Sequence, residues 1–306
     1  MFDVVTVGHF AIDFVTSPKR TTPKPTLGGP PTYVSLAAEA LGAKVAVVSK
    51  VGGDFPARYV RWLKNRRIDV SALHRVRDAH TTSYILKYDE SGQRQLILRN
   101  RAPTIEAEDI PGSLEAKAVH IGPIANEVSR EAIARLRSLA GLISMDPQGF
   151  LRRFGKDGTV QLGRMQNPEV LREVDVFKAS QKETESAFGE ADLAQSMRKI
   201  HEQGVRTVIA TRGQEGSLLY VEGKLYSVPA SKPRVIADMT GAGDVFIGAF
   251  LAEYIRGKDP VWCASVGSAQ ASFVIEQPGP KGFGSKKEVY DRAAGVYEEA
   301  SLLACF

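Results

Sequence analysis

Cysteine and long apolar runs are scarce in this sequence of 306 residues. The two cysteines, Cys263 and Cys305, give neither a disulfide framework nor the spacing of metal ligands, so we expect free thiols. No apolar run approaches the roughly 18 residues of a membrane-spanning helix, which excludes an integral membrane protein. Residues 1–3 lead directly into an apolar strand without a basic segment or cleavage site, so we expect no secretory signal and a cytoplasmic location.

Two widespread nucleotide-binding motifs are also missing. No G-x-x-x-x-G-K-[ST] loop occurs, and no G-x-G-x-x-G follows the first predicted strand, which excludes a P-loop kinase and a Rossmann dehydrogenase. The net charge is only +5, and the basic residues are scattered, with their densest cluster at 61–67 on a predicted solvated helix. We therefore expect no nucleic acid and no membrane among the partners.

What the sequence does contain is a regular alternation of Val- and Ile-rich runs with segments of helical period. Continuous apolar runs predict strands that are buried on both faces of a parallel sheet. The alternation therefore predicts a doubly wound α/β fold, with a mostly parallel sheet and helices on both faces. The predicted strands are 4–8, 43–49, 118–121, 141–145, 174–177 and 205–211, and the predicted helices lie near 31–41, 54–66, 127–140 and 190–203.

Two stretches interrupt this alternation. Residues 12–27 contain three prolines, and residues 81–98 form two strand-like runs around Glu90-Ser91-Gly92. Neither stretch fits a crossover helix, so together they predict a small β-sheet that covers a site. Residues 217–221 and 224–228 differ again and predict a hairpin with a tight turn between them.

The most informative stretch is Asp238-Met-Thr-Gly-Ala-Gly-Asp244, which lies between the apolar run 235–237 and a helical segment at 245–256. We expect a strand to turn into a helix here. Gly241 and Gly243 would then let backbone N–H groups converge on a phosphate at the positive helix end. The sequence therefore predicts an anion site.

A carboxylate in the first helical turn makes this anion site suitable for phosphoryl transfer. The N–H groups of Gly241, Ala242 and Gly243 would stabilise charge on the phosphoryl oxygens, and Asp244 would accept the proton of an attacking hydroxyl. The structural alternative is a glycine-rich helix start with a capping aspartate.

The D-x-T-G-A-G-D pattern at 238–244 resembles the C-terminal signature of the ribokinase-like (PfkB) carbohydrate and nucleoside kinases, and the resemblance covers nearly the whole chain. It implies a single kinase domain over residues 1–306, with a small β-sheet lid from segments at about 12–28 and 81–100. It also implies transfer of a phosphoryl group from ATP with Mg²⁺. Asp238 and Thr240 are candidate oxygen ligands for a monovalent cation such as K⁺, of the kind that some family members have.

Two N-terminal features lie at strand ends or helix starts, where open α/β sheets bind ligands. Asp13 is predicted to accept hydrogen bonds from acceptor hydroxyls, and Gly28 and Gly29 would let the acceptor approach the backbone; in the family both places hold substrate. The alternatives are a strand-end cap for Asp13 and a plain turn for the two glycines. Tyr33 stands where the family often has Asn, so the usual sugar contact is lost or is replaced by ring stacking.

The remaining candidates for acceptor binding follow later strands. Thr82 begins a lid strand, and Arg101, which closes its partner, is either a substrate contact or a solvated charge. The stretch from Asp146 through Gln148 to Arg152 resembles the corresponding stretch of the inositol-kinase branch. It would place an acid, an amide and a base at the ligand edge of the sheet, with an ordinary Asp-Pro turn as the alternative.

The donor and its metal are predicted to lie further along the chain. Ser180 and Glu183 occupy the place of the family's Asn-x-x-Glu, and the retained glutamate would hold Mg²⁺ through its water shell. The same pair is also typical of a helix capping box.

Two more stretches resemble the family's nucleotide site. A loop of the form T-x-G-x-x-G gives Thr211, Arg212, Gly213 and Gly216 as candidates for ATP binding, and without the resemblance it would be only a hairpin entrance. The end of a small-residue helix gives Ala271, Ser272 and Gly279 as candidates beside adenine, with ordinary helix packing as the alternative.

We therefore expect a kinase that transfers the γ-phosphoryl group of ATP to a small polyhydroxy acceptor. By resemblance, the 146–152 stretch and Tyr33 favour a cyclitol such as myo-inositol, with a nucleoside or a ribose- or fructose-type sugar as the alternative and ADP as the alternative donor. A non-catalytic sugar or nucleotide sensor is the alternative of another class, supported only by Ser180. An exposed lid edge would allow a homodimer.

Overall fold

The computed structural model describes residues 1–17, 20–88 and 94–305, which form two main sheets with flanking helices. In chain order the elements are β1 (Phe2–Val7), β2 (Ala11–Ser17), β3 (Arg20–Gly28), α1 (Pro30–Ala40), β4 (Val45–Gly52), α2 (Ala57–Asn65), β5 (Asp69–Val76), β6 (Ser83–Tyr88), β7 (Arg94–Asn100), β8 (Ala116–Ile121), α3 (Arg130–Leu139), β9 (Ala140–Met145), α4 (Gln148–Leu151), β10 (Arg152–Phe154), β11 (Val160–Leu162), β12 (Val176–Ser180), α5 (Gln181–Phe188), α6 (Leu193–Glu202), β13 (Thr207–Thr211), β14 (Ser217–Val221), β15 (Lys224–Val228), α7 (Ala242–Tyr254), α8 (Pro260–Val274), α9 (Lys286–Glu298) and β16 (Ser301–Cys305).

The larger sheet has the strand order β16-β15-β14-β13-β12-β9-β8-β1-β4-β5. Strands β13 to β5 in this order are all parallel to their neighbours, and β14, β15 and β16 add an antiparallel edge. One face packs on α3, α5 and α6, and the other on α1, α7, α8 and α9. Because both faces are covered, the strands need apolar residues at successive positions. The predicted doubly wound α/β fold is confirmed.

Most predicted elements are present, with shifted ends. Helix α2 begins only after Pro56, and the helix predicted near 190–203 is α6, which begins after its cap, Asp192. The hairpin β14–β15 turns at Glu222 and Gly223, whose φ angles of 51° and 70° are those of a tight two-residue turn. Strands β5 and β16 were not predicted, because β5 is only half buried and β16 lies exposed at the edge.

The two interrupting stretches form the smaller sheet, with the order β3-β2-β6-β7. Strands β2 and β6 are parallel, and the outer pairs are antiparallel. Pro23 and Pro25 lie in β3, where an edge position tolerates a residue without an N–H group. The predicted lid sheet is confirmed, and its predicted turn at 90–92 lies outside the described residues.

A short hairpin, β10–β11, connects the large sheet's ligand edge to the lid. The Leu98 N–H donates to the Gly158 carbonyl at 2.8 Å, and Ile97 forms a bridge with Thr159. Gly158 has a φ of +80°, and a Cβ there would lie 2.3 Å from the Leu98 carbonyl oxygen. Only glycine therefore allows this close approach.

Among the described residues, no helix combines the length and the apolar character that crossing a membrane demands.

Candidate active site

A cavity of about 110 Å³ lies between the carboxyl ends of the parallel strands and the lid. Eight residues predicted from sequence line it together, although they come from distant parts of the chain: Asp13, Gly29, Tyr33, Gln148, Arg152, Thr240, Gly241 and Asp244. Six further residues complete the wall: Ala11, Pro30, Tyr84, Leu86, Leu96 and Ile124.

Helix α7 points its first turn at this cavity. Gly241 is its N-cap with a φ of 77°, and no side chain caps the helix start. The Ala242 N–H donates to the Met239 carbonyl at 3.3 Å, whereas the N–H groups of Gly241, Gly243 and Asp244 have no such partner among the described residues and can face an anion. The expectation that a strand leads into this helix is wrong, because residues 229–241 form no strand. The apolar side chains of Val235 and Ile236 are about half exposed, at 57% and 50%, instead of being buried in a sheet.

The two glycines of the motif are required by two protein side chains. A Cβ on Gly241 would lie 2.4 Å from the Tyr33 ring, and a Cβ on Gly243 would lie 2.5 Å from the Lys178 ammonium. Gly241 also has a positive φ, which an L-residue adopts only with strain. The sequence pattern predicts that these glycines make room for a bound phosphate, whereas in the structure the Tyr33 ring and the Lys178 ammonium already pack closely against them.

Asp244 lies in the first turn of α7 and borders the cavity. Burial raises the pKa of its carboxyl to about 7, and Asp146 and Glu183 add to this rise, while Lys178 and Arg152 oppose it. A general base works best when its pKa lies near the operating pH. The location and the pKa both suit the predicted role of proton acceptor.

Asp13 and the two N-terminal glycines form one unit. Asp13 on β2 pairs with Thr26 on β3, and a Cβ on Gly28 would lie 2.0 Å from its carboxylate. Gly29 has a φ of +85°, and a Cβ there would lie 2.3 Å from the His9 carbonyl oxygen. The glycines therefore do more than form a plain turn, because they let the Asp13 carboxylate lie against the backbone at the cavity wall.

Tyr33 is buried, with 2% of its surface exposed, and it lies on α1 between several carboxylates. Burial raises the pKa of its phenol well above the usual value, and the charges of Asp13, Asp238 and Asp244 add to this effect. The hydroxyl therefore stays protonated and can act as a hydrogen-bond donor, while the ring covers Gly241.

The stretch after β9 divides between the cavity and the core. Gln148 and Arg152 line the cavity, and an Nη of Arg152 donates to the Ile124 carbonyl at 2.8 Å and to the Tyr84 hydroxyl at 3.3 Å. The Asp146 carboxylate is buried, accepts the Gln148 N–H at 3.1 Å and forms an ion pair with Lys178 at 2.7 Å. Contact between Asp146 and an acceptor stays a prediction.

Two other residues predicted to contact the acceptor form hydrogen bonds with protein groups instead. The Thr82 hydroxyl is buried and lies 2.7 Å from Nδ1 of His9, and it also accepts the Ala102 N–H. The Arg101 guanidinium is exposed and donates to the Asn126 carbonyl at 2.6 Å. Neither residue borders the cavity, so their roles as substrate contacts stay predictions.

Ser180 and Glu183 form the capping box that the sequence allowed. The Glu183 carboxylate accepts the N–H and the hydroxyl of Ser180 at 2.9 and 2.6 Å, and the Ser180 hydroxyl accepts the Glu183 N–H. Both hydrogen bonds to the carboxylate use the same oxygen, so the other oxygen can still face a water molecule. Capping and outer-shell metal binding are therefore compatible here.

The T-x-G-x-x-G loop lies beside this capping box, because Thr211 pairs with Ser180 across β13 and β12. The Arg212 guanidinium contacts Glu215, and Gly213 and Gly216 have φ angles of +59° and +83°. A Cβ on Gly216 would lie 2.1 Å from the Val228 carbonyl oxygen. The loop is thus a tight turn at the ligand edge of the sheet.

The end of α8 is linked to the motif loop. The Asp238 carboxylate accepts the N–H groups of Thr240 at 2.9 Å and Gly279 at 3.3 Å. The Ser272 hydroxyl is buried and accepts a hydrogen bond from Arg292, whose guanidinium lies 3.5 Å from the centre of the Phe273 ring. The predicted neighbours of adenine, Ala271, Ser272 and Gly279, are therefore grouped together, but the Ser272 hydroxyl is occupied.

Mg²⁺ was expected from the resemblance. Among the residues that the structure describes, no three His, Cys, Asp or Glu side chains are arranged to ligate a metal directly. Glu183 with one unoccupied oxygen fits a hydrated Mg²⁺, whose remaining ligands would be water and donor phosphates. Asp238 and Thr240 remain the predicted ligands of a monovalent cation.

Sequence reasoning missed Tyr84, the apolar lid side chains and Lys178. Tyr84 and Leu86 follow Thr82 at every second position of a strand, so they share a face, but nothing in the sequence says that this face lines a cavity. Lys178 interrupts an apolar strand, and a charged residue within a buried strand was a signal that could have been used. His120 is buried in the core, and burial lowers the pKa of its imidazole to about 4.

The large, mostly parallel sheet with helices on both faces and the small lid sheet together define a ribokinase-like fold. Residues 1–286 match the pfkB family of carbohydrate kinases, so the chain belongs to this family. As a member it is a phosphotransferase that acts on an alcohol group, and its acceptors are of the sugar or nucleoside class.

Relatives cover the chain almost completely. A cytidine kinase of Thermococcus kodakarensis is 30% identical over 287 residues, which is 91% of this chain and 98% of the relative. A solved pyrophosphate-dependent kinase in the ribokinase family, complexed with a pyrophosphate analogue and myo-inositol, has a TM-score of 0.81 at 22% identity and covers 94% and 99% of the two chains. The Methanocaldococcus jannaschii nucleoside kinase structure has a TM-score of 0.76 at 23% identity, with 96% and 98% covered.

Proposed function

We propose that this kinase transfers the γ-phosphoryl group of ATP to a hydroxyl of a nucleoside. The two unlike walls of the cavity are the observation that carries this proposal. Asp13, Gln148 and Arg152 form a polar wall, and the lid residues Leu86 and Leu96 form an apolar one.

A nucleoside matches this division of the cavity. Its sugar hydroxyls would meet the polar wall, and the flat base would lie against the apolar lid, where Tyr84 provides an aromatic ring. A cyclitol carries hydroxyls around its whole ring, and those facing Leu86 and Leu96 would lose water without gaining a partner. The 30% identity with a cytidine kinase also supports a nucleoside.

A cyclitol such as myo-inositol is the second candidate, which reverses the order that the sequence suggested. Its specific support is the 146–152 stretch, from which Gln148 and Arg152 reach the cavity. The likeness to the inositol-bound structure is below 25% identity and supports the fold alone.

In the proposed mechanism, an acceptor hydroxyl bound by Asp13 approaches the start of α7. Its oxygen attacks the γ-phosphorus, its proton passes to the Asp244 carboxylate, and the bond to the β,γ-bridging oxygen breaks as ADP leaves. The free N–H groups of the first helical turn stabilise the negative charge on the transferred phosphoryl group. Mg²⁺, when bound, neutralises charge on the donor phosphates, and Glu183 would orient its water shell.

ATP is the proposed donor because ribokinase-family kinases other than the pyrophosphate-dependent ones use ATP and Mg²⁺. The loop from Thr211 to Gly216 lies at the same sheet edge as the α7 start and supplies the proposed donor contacts. A homodimer also stays a proposal, and the prolines of the lid's edge strand argue against pairing through that edge.

An acceptor and donor panel tests this function. Purified enzyme is supplied with Mg²⁺ and with ATP, ADP or pyrophosphate, and with cytidine, uridine, adenosine, ribose, fructose or myo-inositol as acceptor. We expect the highest kcat/KM for a nucleoside with ATP, and loss of that turnover in Asp244→Asn. A higher kcat/KM for myo-inositol would contradict the nucleoside as acceptor and favour the second candidate. Turnover with pyrophosphate but not with ATP would contradict ATP as the donor.

A further inference from the structure

Lys178 is a buried cation next to the proposed anion site. It lies in the middle of β12, a strand whose other central residues are apolar, and 4% of its surface is exposed. Its ammonium forms a 2.7 Å ion pair with Asp146, in which both side chains are almost completely buried. Sequence reasoning gave Lys178 no role.

The ammonium reaches the first turn of α7. A Cβ on Gly243, the residue before Asp244, would lie only 2.5 Å from the lysine nitrogen. Glycine at this position therefore allows the positive charge to lie directly against the helix start. The anion site thus has free N–H groups at its surface and a buried ammonium behind them.

Three charged groups and one neutral phenol surround the lysine and Asp244. Asp146 follows β9, Glu183 lies on α5 and Arg152 on β10, and the Tyr33 phenol of α1 stays neutral. Burial alone would lower the pKa of Lys178, but Asp146, Asp244 and Glu183 raise it, and the net direction is upward. Its positive charge is therefore permanent at any pH at which the enzyme works.

The stability of the fold is a weak explanation for the buried Lys178–Asp146 ion pair. Removing two charges from water is expensive, and a well-packed apolar pair of similar size is often as stable as a buried ion pair. A fixed charge in a water-excluded site, in contrast, is strongly felt by negative charge that develops during a reaction.

We propose that Lys178 is a positioning residue for phosphoryl transfer, whose buried ammonium, held by Asp146, fixes the Gly243–Asp244 turn and places a permanent positive charge behind the anion site. This inference rests on the proposed role of the α7 start and of Asp244. It assigns Asp146 to the lysine, and so to the donor side of the reaction, in addition to any contact with the acceptor.

Four variants separate this role from a structural one: Lys178→Met, Asp146→Asn, the double variant, and Lys50→Met as a matched control. Lys50 forms the other nearly buried Lys–Asp pair, with Asp109, and it does not border the cavity. Each variant is checked for folding by circular dichroism and thermal melting, and kcat and KM are measured with ATP and the best acceptor.

We expect Lys178→Met to lower kcat by about 100-fold or more, a loss in the range known for single charge-stabilising groups. The double variant removes both charges, so it should regain thermal stability while kcat stays low. Lys50→Met should lose stability and keep its kcat. The acid limb of the pH–rate profile should move to higher pH without Lys178 and to lower pH without Asp146, because the two charges act on Asp244 with opposite sign.

Two results would overturn the inference. One is a kcat for Lys178→Met or for the double variant within about threefold of the wild type, since that difference is less than 1 kcal/mol of barrier. The other is a double variant that does not fold, because the pair would then serve the fold. Asp244→Asn is measured in parallel. If it keeps its turnover, the proposed mechanism fails, whatever Lys178 does.

Discussion

The two walls of the cavity differ in almost every physical property. The wall from the large sheet and α7 carries Asp244, with the Lys178–Asp146 ion pair buried behind it. The lid wall carries Leu86 on β6 and Leu96 on β7 of the small sheet. The first wall is built for charge that appears during the reaction, and the second for shape and water exclusion. We infer that chemistry and acceptor choice are controlled by different parts of the chain.

The strongest test of this separation between chemistry and acceptor binding is to remove the base, Asp244. Asp244→Asn keeps the size of the side chain but cannot accept the hydroxyl proton, so we expect kcat to fall by about 10³-fold while the KM values change little. Steady-state kinetics with the preferred acceptor measures this. A loss that appears mainly in the acceptor KM would place Asp244 in binding instead of proton transfer.

The same substitution has an opposite effect on stability. The pKa of Asp244 is about 7 in the folded chain, against 3.8 as its ordinary value. A raised pKa of an acid means that the charged form is disfavoured on folding, so the folded state loses stability as the pH rises from about 4 to 7. At pH 8 we therefore expect Asp244→Asn to be more stable by a few kcal/mol, at about 1.4 kcal/mol per unit of the pKa difference, and unchanged at pH 3.5. Urea unfolding at the two pH values tests both statements.

A smaller effect on the same wall comes from the helix start. Gly241→Ala must place a Cβ against the Tyr33 ring at a φ of +77°. We expect the free energy of unfolding to fall by about 1–3 kcal/mol. Chemical denaturation measures the loss, with Gly257→Ala as the control, since Gly257 has a similar φ of +72° but open space around it. Equal losses in the two variants would show that the packing of Tyr33 adds nothing.

The pH dependence of the wild-type enzyme sharpens the comparison further. Because the pKa of Asp244 is about 7, kcat/KM should fall about tenfold per pH unit below that value, as the free base is protonated. The same profile measured with a Leu96 variant should keep its midpoint, since the leucine side chain carries no charge that could act on Asp244. A midpoint that moves with the lid variant would contradict the separation of the two walls.

The smallest expected effect is on the lid wall. Leu96→Ala should raise the acceptor KM about tenfold with little change in kcat, because it removes apolar contact that is the same before and during the reaction. Leu96→Asn should narrow the preference for a nucleoside over myo-inositol. Ile85→Ala is the matched control, since Ile85 lies between Tyr84 and Leu86 with its side chain on the opposite face of β6 and does not border the cavity. A fall in kcat instead of a rise in KM would contradict this prediction.

The sequence predicted the first wall far better than the second. The anion motif is local, because Gly241, Asp244 and the helix are neighbours along the chain, and local chemistry identified them. The strand expected before the motif was wrong, because an apolar run of three residues, 235–237, carries no information on whether it is buried. Lys178 and Asp146 are 32 positions apart in the sequence, and no spacing of residues predicts an ion pair between them.

The sequence predicted that the lid is a sheet but not which of its side chains face the cavity. Alternation along β6 shows which side chains share a face, yet the direction of that face depends on how the sheet is attached to the body. Thr82 illustrates this point. It was expected at the acceptor, but its hydroxyl is bound to His9 and the Ala102 N–H, which fasten the base of the lid.

The attachment of the lid at Gly158 also determines which piece of the chain can be exchanged between relatives. The β10–β11 hairpin touches the lid through Leu98 and Ile97, and Arg152 begins that hairpin. A lid transplanted from another kinase without its own hairpin would meet a foreign surface and would misplace Arg152. The segments that must be exchanged together to change acceptor choice are therefore separate in the sequence. They are residues 11–28, 83–100 and 152–162.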